Sequence, residues 1–340
     1  MNLITGATGL IGAHVALQLL QQGKPVRAIR RANSDITRTR TLFSYYTPDY
    51  QQLFDRITWL DADITDIYSI LDALEGIDTV YHCAGYVSFH KKGRDQLHRI
   101  NAVGTANMVN ACLEKNIRAF CHVSSIATLH NPDISTNISE KVYWKSSPDA
   151  SDYAISKYNG EREVWRGMEE GLNAVIVNPG LVLGPGFWEQ SSGKMISTCY
   201  HGTAFYTNGS SAAISATDTA ACMIGLTEKQ EFNKRFVLTA HNYSFKELFS
   251  LLHKAFGKKE PYIEAGKTLL TVAMWLDGLK SAITGKEPVV TKATVNAGLS
   301  KNTFDNSRVR ETLHYQFEPL QETIRFVCSV YLKEKNTAHA

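Results

Sequence analysis

The sequence predicts an α/β fold, a doubly wound parallel sheet followed by a smaller C-terminal region. Three observations predict it: short apolar runs alternate with helically spaced stretches, the alternation lasts for more than 170 residues, and it breaks after Pro179. Leu3–Thr5 reads as a strand ending in glycines, Leu10–Leu20 as a helix and Pro25–Ile29 as the next strand, which together make one βαβ unit. Asn33–Phe54 is too long for an ordinary connection and predicts a helix-containing insertion. Strands are then expected at Ile57–Leu60, Thr79–Cys83, Arg118–Ser124 and Ala174–Asn178, with helices near Ile67–Leu74, Asp95–Glu114 and Asp152–Glu170 between them. Beyond Pro179 the loops Gly184-Pro185-Gly186, Ser191-Ser192-Gly193 and Gly209-Ser210-Ser211 separate mixed helices. The chain therefore divides into residues 1–180 and a smaller region, 181–340, with some crossing back.

Composition narrows the class. The 340 residues are 44% hydrophobic and 20% charged, which suits a globular chain and excludes disorder. A net charge of +3 gives no general reason to expect nucleic acid or a membrane as partner. Thr268–Ile283 is interrupted by Asp277 and Lys280 too early to span a bilayer, and is expected to be a buried or interfacial helix. The six cysteines are scattered, without metal-ligand spacing, so no metal is expected. With no signal-peptide pattern at Met1–Gly6, a cytoplasmic address is expected.

Three motifs carry chemistry. Thr5-Gly6-Ala7-Thr8-Gly9-Leu10-Ile11-Gly12 joins the first strand to the first helix, where glycines let a dinucleotide pyrophosphate approach the helix N-terminus. The second strand ends in Arg30-Arg31 with no acid, which favours a 2′-phosphate, hence NADP over NAD. Tyr153 and Lys157 stand one helical turn apart, so the ammonium is expected to pull the phenol pKa toward neutrality. Tyr331 and Lys335 repeat that spacing, but only Tyr153 follows a strand ending in Ser124-Ser125, with which it can converge at the C-terminal sheet edge.

With these motifs in this order, together with Asp63-Ile64, His82-Cys83-Ala84-Gly85, Asn101–Thr105 and Asn178–Pro185, the chain resembles the short-chain dehydrogenase/reductase family in its extended form. The resemblance implies a Rossmann-type, NAD(P)-binding domain over 1–180 and a substrate-binding region over 181–340. It makes Tyr153 the acid/base and Lys157 its activator. Ser125 is implied to bind the substrate carbonyl, with Ser124 as alternative and as a cofactor neighbour. It also places Asp63 and Ile64 against adenine, Ala84 and Gly85 beside the phosphates and ribose, and Pro179 with Val182 against nicotinamide. Without the resemblance, Asp63 could simply cap the helix near Asp66, and Asn101 could be an ordinary helix residue.

Within the family the chain is most similar to the dihydroflavonol-reductase and 3β-hydroxysteroid-dehydrogenase-like group, in Val26–Arg31, Gly285–Thr291 and Phe304–Val309. Ser210-Ser211-Ala212 lacks the arginine that many sugar-nucleotide enzymes use on the substrate diphosphate. Ile126-Ala127 after Ser125 lacks the acidic pair of dehydratases. Tyr86, Val87, Phe89, Phe187, Trp188 and Met195 offer an apolar wall. The expectation is an NADP-dependent carbonyl reductase or alcohol dehydrogenase acting on a small hydrophobic molecule. The alternatives are a nucleotide-sugar epimerase or dehydratase retaining NAD, and a non-catalytic dinucleotide sensor. By resemblance, a homodimer would pair through Asp95–Glu114 and Asp152–Glu170.

Overall fold

A strand covered by helices on both faces is shut off from water along its length and runs largely apolar, and β5 (Ala119–Val123) and β6 (Ala174–Pro179) are buried throughout. The computed structural model describes residues 1–284 and 290–338. Ahead of β5 come β1 (Asn2–Thr5), α1 (Leu10–Gln21), β2 (Val26–Arg30), α2 (Thr37–Ser44), α3 (Tyr50–Asp55), β3 (Ile57–Asp61), α4 (Ile67–Ala73) and β4 (Thr79–His82). Then follow α5 (Arg94–Leu97), a π-helical segment (His98–Val103) and α6 (Gly104–Glu114), and α7 (Asp152–Glu169) joins β5 to β6. The strands lie close to their expected places. The expected helix Asp95–Glu114 is divided by the π-helical segment, and the Asn33–Phe54 insertion holds α2 and α3.

The second half contains β7 (Leu181–Leu183), α8 (Ser191–His201), β8 (Phe205–Tyr206), β9 (Ser210–Ser215), α9 (Ala216–Glu228) and β10 (Lys234–Leu238). It continues with β11 (His241–Ser244), α10 (Phe245–Ala255), β12 (Ile263–Glu264), α11 (Lys267–Thr284), α12 (Lys292–Leu299), α13 (Ser307–Leu313) and α14 (Leu320–Ala338). Positions 285–289 of the Gly285–Thr291 motif lie outside the described residues.

The main sheet has the order β10-β6-β5-β4-β1-β2-β3, and all its pairs are parallel. Alternation along each strand builds two cores: Ile4, Tyr81, Cys121 and Val175 face α1 and α9, while Leu3, Val80, Phe120 and Ile176 face α4, α6 and α7. Strand order reverses between β1 and β4, which opens a crevice at their C-terminal ends. A third cluster packs α8, α10 and α14 over the small sheet β11-β9-β7. The crossing back is substantial, since β10 completes the main sheet and α9 packs on α1.

Candidate active site

The glycine turn is the tightest part of the crevice. Gly6 has φ +68°, and a Cβ there would meet the Ala84 backbone at 2.7 Å. A Cβ on Gly12 would overlap the Gly6 carbonyl oxygen, so α1 starts hard against the turn. Gly9 is its N-cap, with no side-chain cap and no acid in the first turn. The first amides of α1 are thus left to a ligand or solvent, and Thr8, Gly9, Leu10 and Ile11 are partly exposed there. Such a turn fits a pyrophosphate. Thr5 is different: it is fully buried, and its hydroxyl takes the Ala84 N–H at 3.0 Å and meets His82 Nδ1 at 2.8 Å. It ties β1 to the end of β4 from beneath the turn.

That tie continues into a buried chain. His82 Nε2 lies 3.1 Å from the Thr105 hydroxyl, which donates to the Asn101 carbonyl at 2.7 Å. Burial, then the charge of Lys157, holds the His82 pKa down to about 3, so the ring is neutral. The Asn101 side chain accepts from Tyr86 N–H at 2.7 Å and donates to Tyr86 O and Ser156 Oγ, each at 2.9 Å. Asn101 therefore shapes the loop after β4, and the π-helical segment delivers it there.

α7 brings in the phenol and the ammonium. Ser151 caps this helix by accepting from Ala154 N–H at 3.1 Å, which places Tyr153 in its first turn. The Ser125 side chain stands near enough to the Tyr153 hydroxyl to favour its ionised form. Ser125 Oγ also accepts from Ala127 N–H at 3.2 Å, one turn after β5. Lys157 donates to the Val123 carbonyl at 2.7 Å, and Gly85 stands opposite, where a Cβ would lie 3.6 Å from Nζ. Burial raises the Tyr153 pKa, and the nearby Ser125 side chain only partly offsets this. Burial also lowers Lys157 to about 8, opposed by Glu161 and Cys83. The expected depression of the phenol by Lys157 is therefore corrected: here desolvation wins, and the ammonium is turned to a backbone carbonyl.

Ser124 is turned away from Tyr153's serine. It is buried and donates to Glu161 Oε2 at 2.6 Å, so of the two serines Ser125 is the one that acts on the phenol. Glu161, which the sequence reading missed, is the hub beneath the site. It also accepts from Thr128 Oγ1 at 2.7 Å and Asn178 Nδ2 at 2.9 Å, and pairs with Arg235 at 3.0 Å. Asn178 Nδ2 in turn reaches the Ser125 carbonyl at 3.2 Å. The signal was available in the sequence: Tyr153, Lys157 and Glu161 recur every fourth residue on one helix face.

The remaining candidates divide. Arg30 Nε lies 3.0 Å from Asp61 Oδ1 on β3, whereas Arg31 is exposed and has no ion pair among the described residues. Asp63 accepts from the Thr65 amide and hydroxyl at 2.8 Å each, and the cap of α4 is Asp66, not Asp63. Ile64 is buried against Gly104. Ala84 and Val182 are part-exposed, and Pro179 is buried at the end of β6. Of the expected apolar wall, Val87 and Phe89 are exposed, and the Phe89 ring meets Tyr153 edge-on at 5.7 Å. Phe187, Trp188 and Met195 are packed into the cores instead.

Comparison with known proteins identifies the family. Sterol demethylase protein B of Methylococcus capsulatus is 28% identical over 285 residues, 82% of each chain. Cinnamoyl-CoA reductase 1 of Petunia hybrida is 28% identical over 74% of this chain and 76% of its own. Dihydroflavonol 4-reductase and 3β-hydroxysteroid-dehydrogenase-like proteins are among further matches. A nucleoside-diphosphate-sugar epimerase from Pseudomonas aeruginosa superposes with a TM-score of 0.75 over 98% of this chain and 97% of its own, at 20% identity. Residues 2–234 match the NAD dependent epimerase/dehydratase family, so the chain belongs to that family and is an NAD(P)-dependent enzyme of the extended short-chain dehydrogenase/reductase type.

Proposed function

We propose that the enzyme is an NADP-dependent carbonyl reductase, working in reverse as an alcohol dehydrogenase, on a small hydrophobic substrate. The observation that carries this is the grouping of Tyr153 and the Ser125 side chain near the buried ammonium of Lys157, which is held on the Val123 carbonyl at 2.7 Å. The uncapped start of α1 and its glycine turn hold the pyrophosphate, Arg31 the 2′-phosphate, and Lys157 the ribose next to Gly85. Asp63 and Ile64 lie toward adenine, and Pro179 and Val182 toward nicotinamide. When bound, the cofactor supplies or accepts hydride.

The protein's own work is proton transfer and orientation. Tyr153, its pKa raised by burial, is protonated at neutral pH, which is the form that donates to a carbonyl oxygen during reduction. Ser125 fixes that oxygen by hydrogen bonding. Val87 and Phe89 present apolar surface beside the phenol, which suits a hydrophobic substrate. Relatives named as reductases support this reading.

A nucleotide-sugar epimerase is the second reading, favoured by the shared fold with such an epimerase. One experiment separates them: titration with NADPH and NADH, followed by a panel of carbonyl substrates. Tighter NADPH binding with turnover is expected, and Arg31→Glu should reverse the preference. Tightly retained NAD with no carbonyl turnover would overturn the reductase reading.

A further inference from the structure

We infer that α11 seats this enzyme on the surface of an anionic lipid bilayer. The inference does not rest on the choice of substrate or cofactor. At 100° per residue, Leu269, Val272, Trp275, Leu276 and Leu279 share an arc of about 120° on the helix. All five face outward, with exposures of 42%, 51%, 71%, 63% and 59%. The side turned toward the protein is half-buried and mixes Leu270, Ala273 and Met274 with Ser281 and Asp277, which accepts from Val290 N–H at 2.8 Å. A helix folded for water would carry polar side chains on its outer face instead. Of the two expectations for Thr268–Ile283, a buried or an interfacial helix, the exposed face excludes the first, and the expectation of no membrane partner is revised by this proposal.

No described helix is long and apolar enough to cross a membrane, so the contact is one of lying on the surface. Charge selects the kind of surface. Between residues 254 and 301 eight lysines stand against four acids, although the whole chain carries only +3. Lys254, Lys258, Lys259 and Lys267 are exposed on the stretch of chain that leads into α11. Lys259 Nζ lies 4.7 Å from the centre of the Tyr262 ring, itself 62% exposed. Trp275 and Tyr262 are the aromatic types favoured at the water–lipid boundary, and lysines around them complement anionic headgroups. A second copy is a poorer occupant. Pairing two such helices would oppose their lysine-rich borders, and five side chains fall well short of the roughly 20–30 residues a stable interface engages per partner.

Sedimentation of the full chain with vesicles tests this. Binding is expected to phosphatidylcholine vesicles containing phosphatidylglycerol, and to fall at least tenfold on pure phosphatidylcholine or at high salt. Leu276→Asp with Leu279→Asp should lose at least tenfold in vesicle binding while melting and NADPH binding are unchanged. Lys258→Ala and Lys259→Ala should each weaken it roughly fivefold. The fluorescence of Trp275, isolated by difference from Trp275→Phe, should shift to shorter wavelength on anionic vesicles. Failure to bind either vesicle would overturn the inference, as would equal binding to both. A dimer that Leu276→Asp converts to monomer, without vesicle binding, would assign the face to a second copy instead.

Discussion

Glu161 shows how much one side chain can organise without touching a substrate. Its carboxylate is buried against Arg235, and removing one member of such a pair strands the other. Glu161→Gln is expected to cost about 3–5 kcal/mol, read as a lowered midpoint in urea. The two serines should part company. Ser125→Ala and Tyr153→Phe should each lower kcat about 10²–10⁴-fold with NADPH affinity retained, whereas Ser124→Ala should chiefly lower stability. A Tyr153→Phe enzyme with undiminished carbonyl reduction would remove the phenol from the mechanism. The glycine turn, Tyr153 and Lys157 were legible because spacing on a helix or at a strand end determines them, whereas Asp63, Ile64, Ala84, Gly85, Pro179 and Val182 rested on the family resemblance alone. Glu161 was missed although its spacing from Tyr153 and Lys157 was readable, whereas Asp61 was not readable, because a carboxylate partner reached through folding carries no motif. Trp188 was misplaced because its aromatic character suits a wall or a core equally, and only packing against Tyr331 decides.

At the scale of elements, termini do most of the positioning. α7 starts at Ser151 and α4 at Asp66, and both starts are capped by short polar side chains. Asp66→Ala is expected to lower stability by about 1 kcal/mol, measurable by chemical denaturation, with little change in turnover. α1 is the exception, since it leaves its first amides uncapped. Gly12→Ala should therefore abolish dinucleotide binding, measured by titration, by driving α1 away from the Gly6 carbonyl. The strand and helix rhythm was readable because a sheet covered on both faces demands continuous apolar runs. The break at His98–Val103 was not, because a π-helical turn keeps the composition of the α-helices on either side.

For the molecule as a whole, acid is the expected weakness. His14 and His82 are buried neutral rings with pKa values lowered by desolvation to about 4 and about 3. The unfolded chain takes up protons below pH 6.5 that the folded chain refuses, so their contribution is complete above 6.5 and declines as pH falls. For His14 alone the loss reaches about 3 kcal/mol near pH 4. A melting temperature that holds from pH 8 to 7 and drops steadily from 6 to 4 is expected, and a flat profile would contradict it. The sheet carries one more consequence. Because β10 (Lys234–Leu238) seals the flank of β6, a fragment ending at Gly180 would leave that flank's amides and carbonyls bare. Such a fragment should self-associate rather than persist as an independent folded unit.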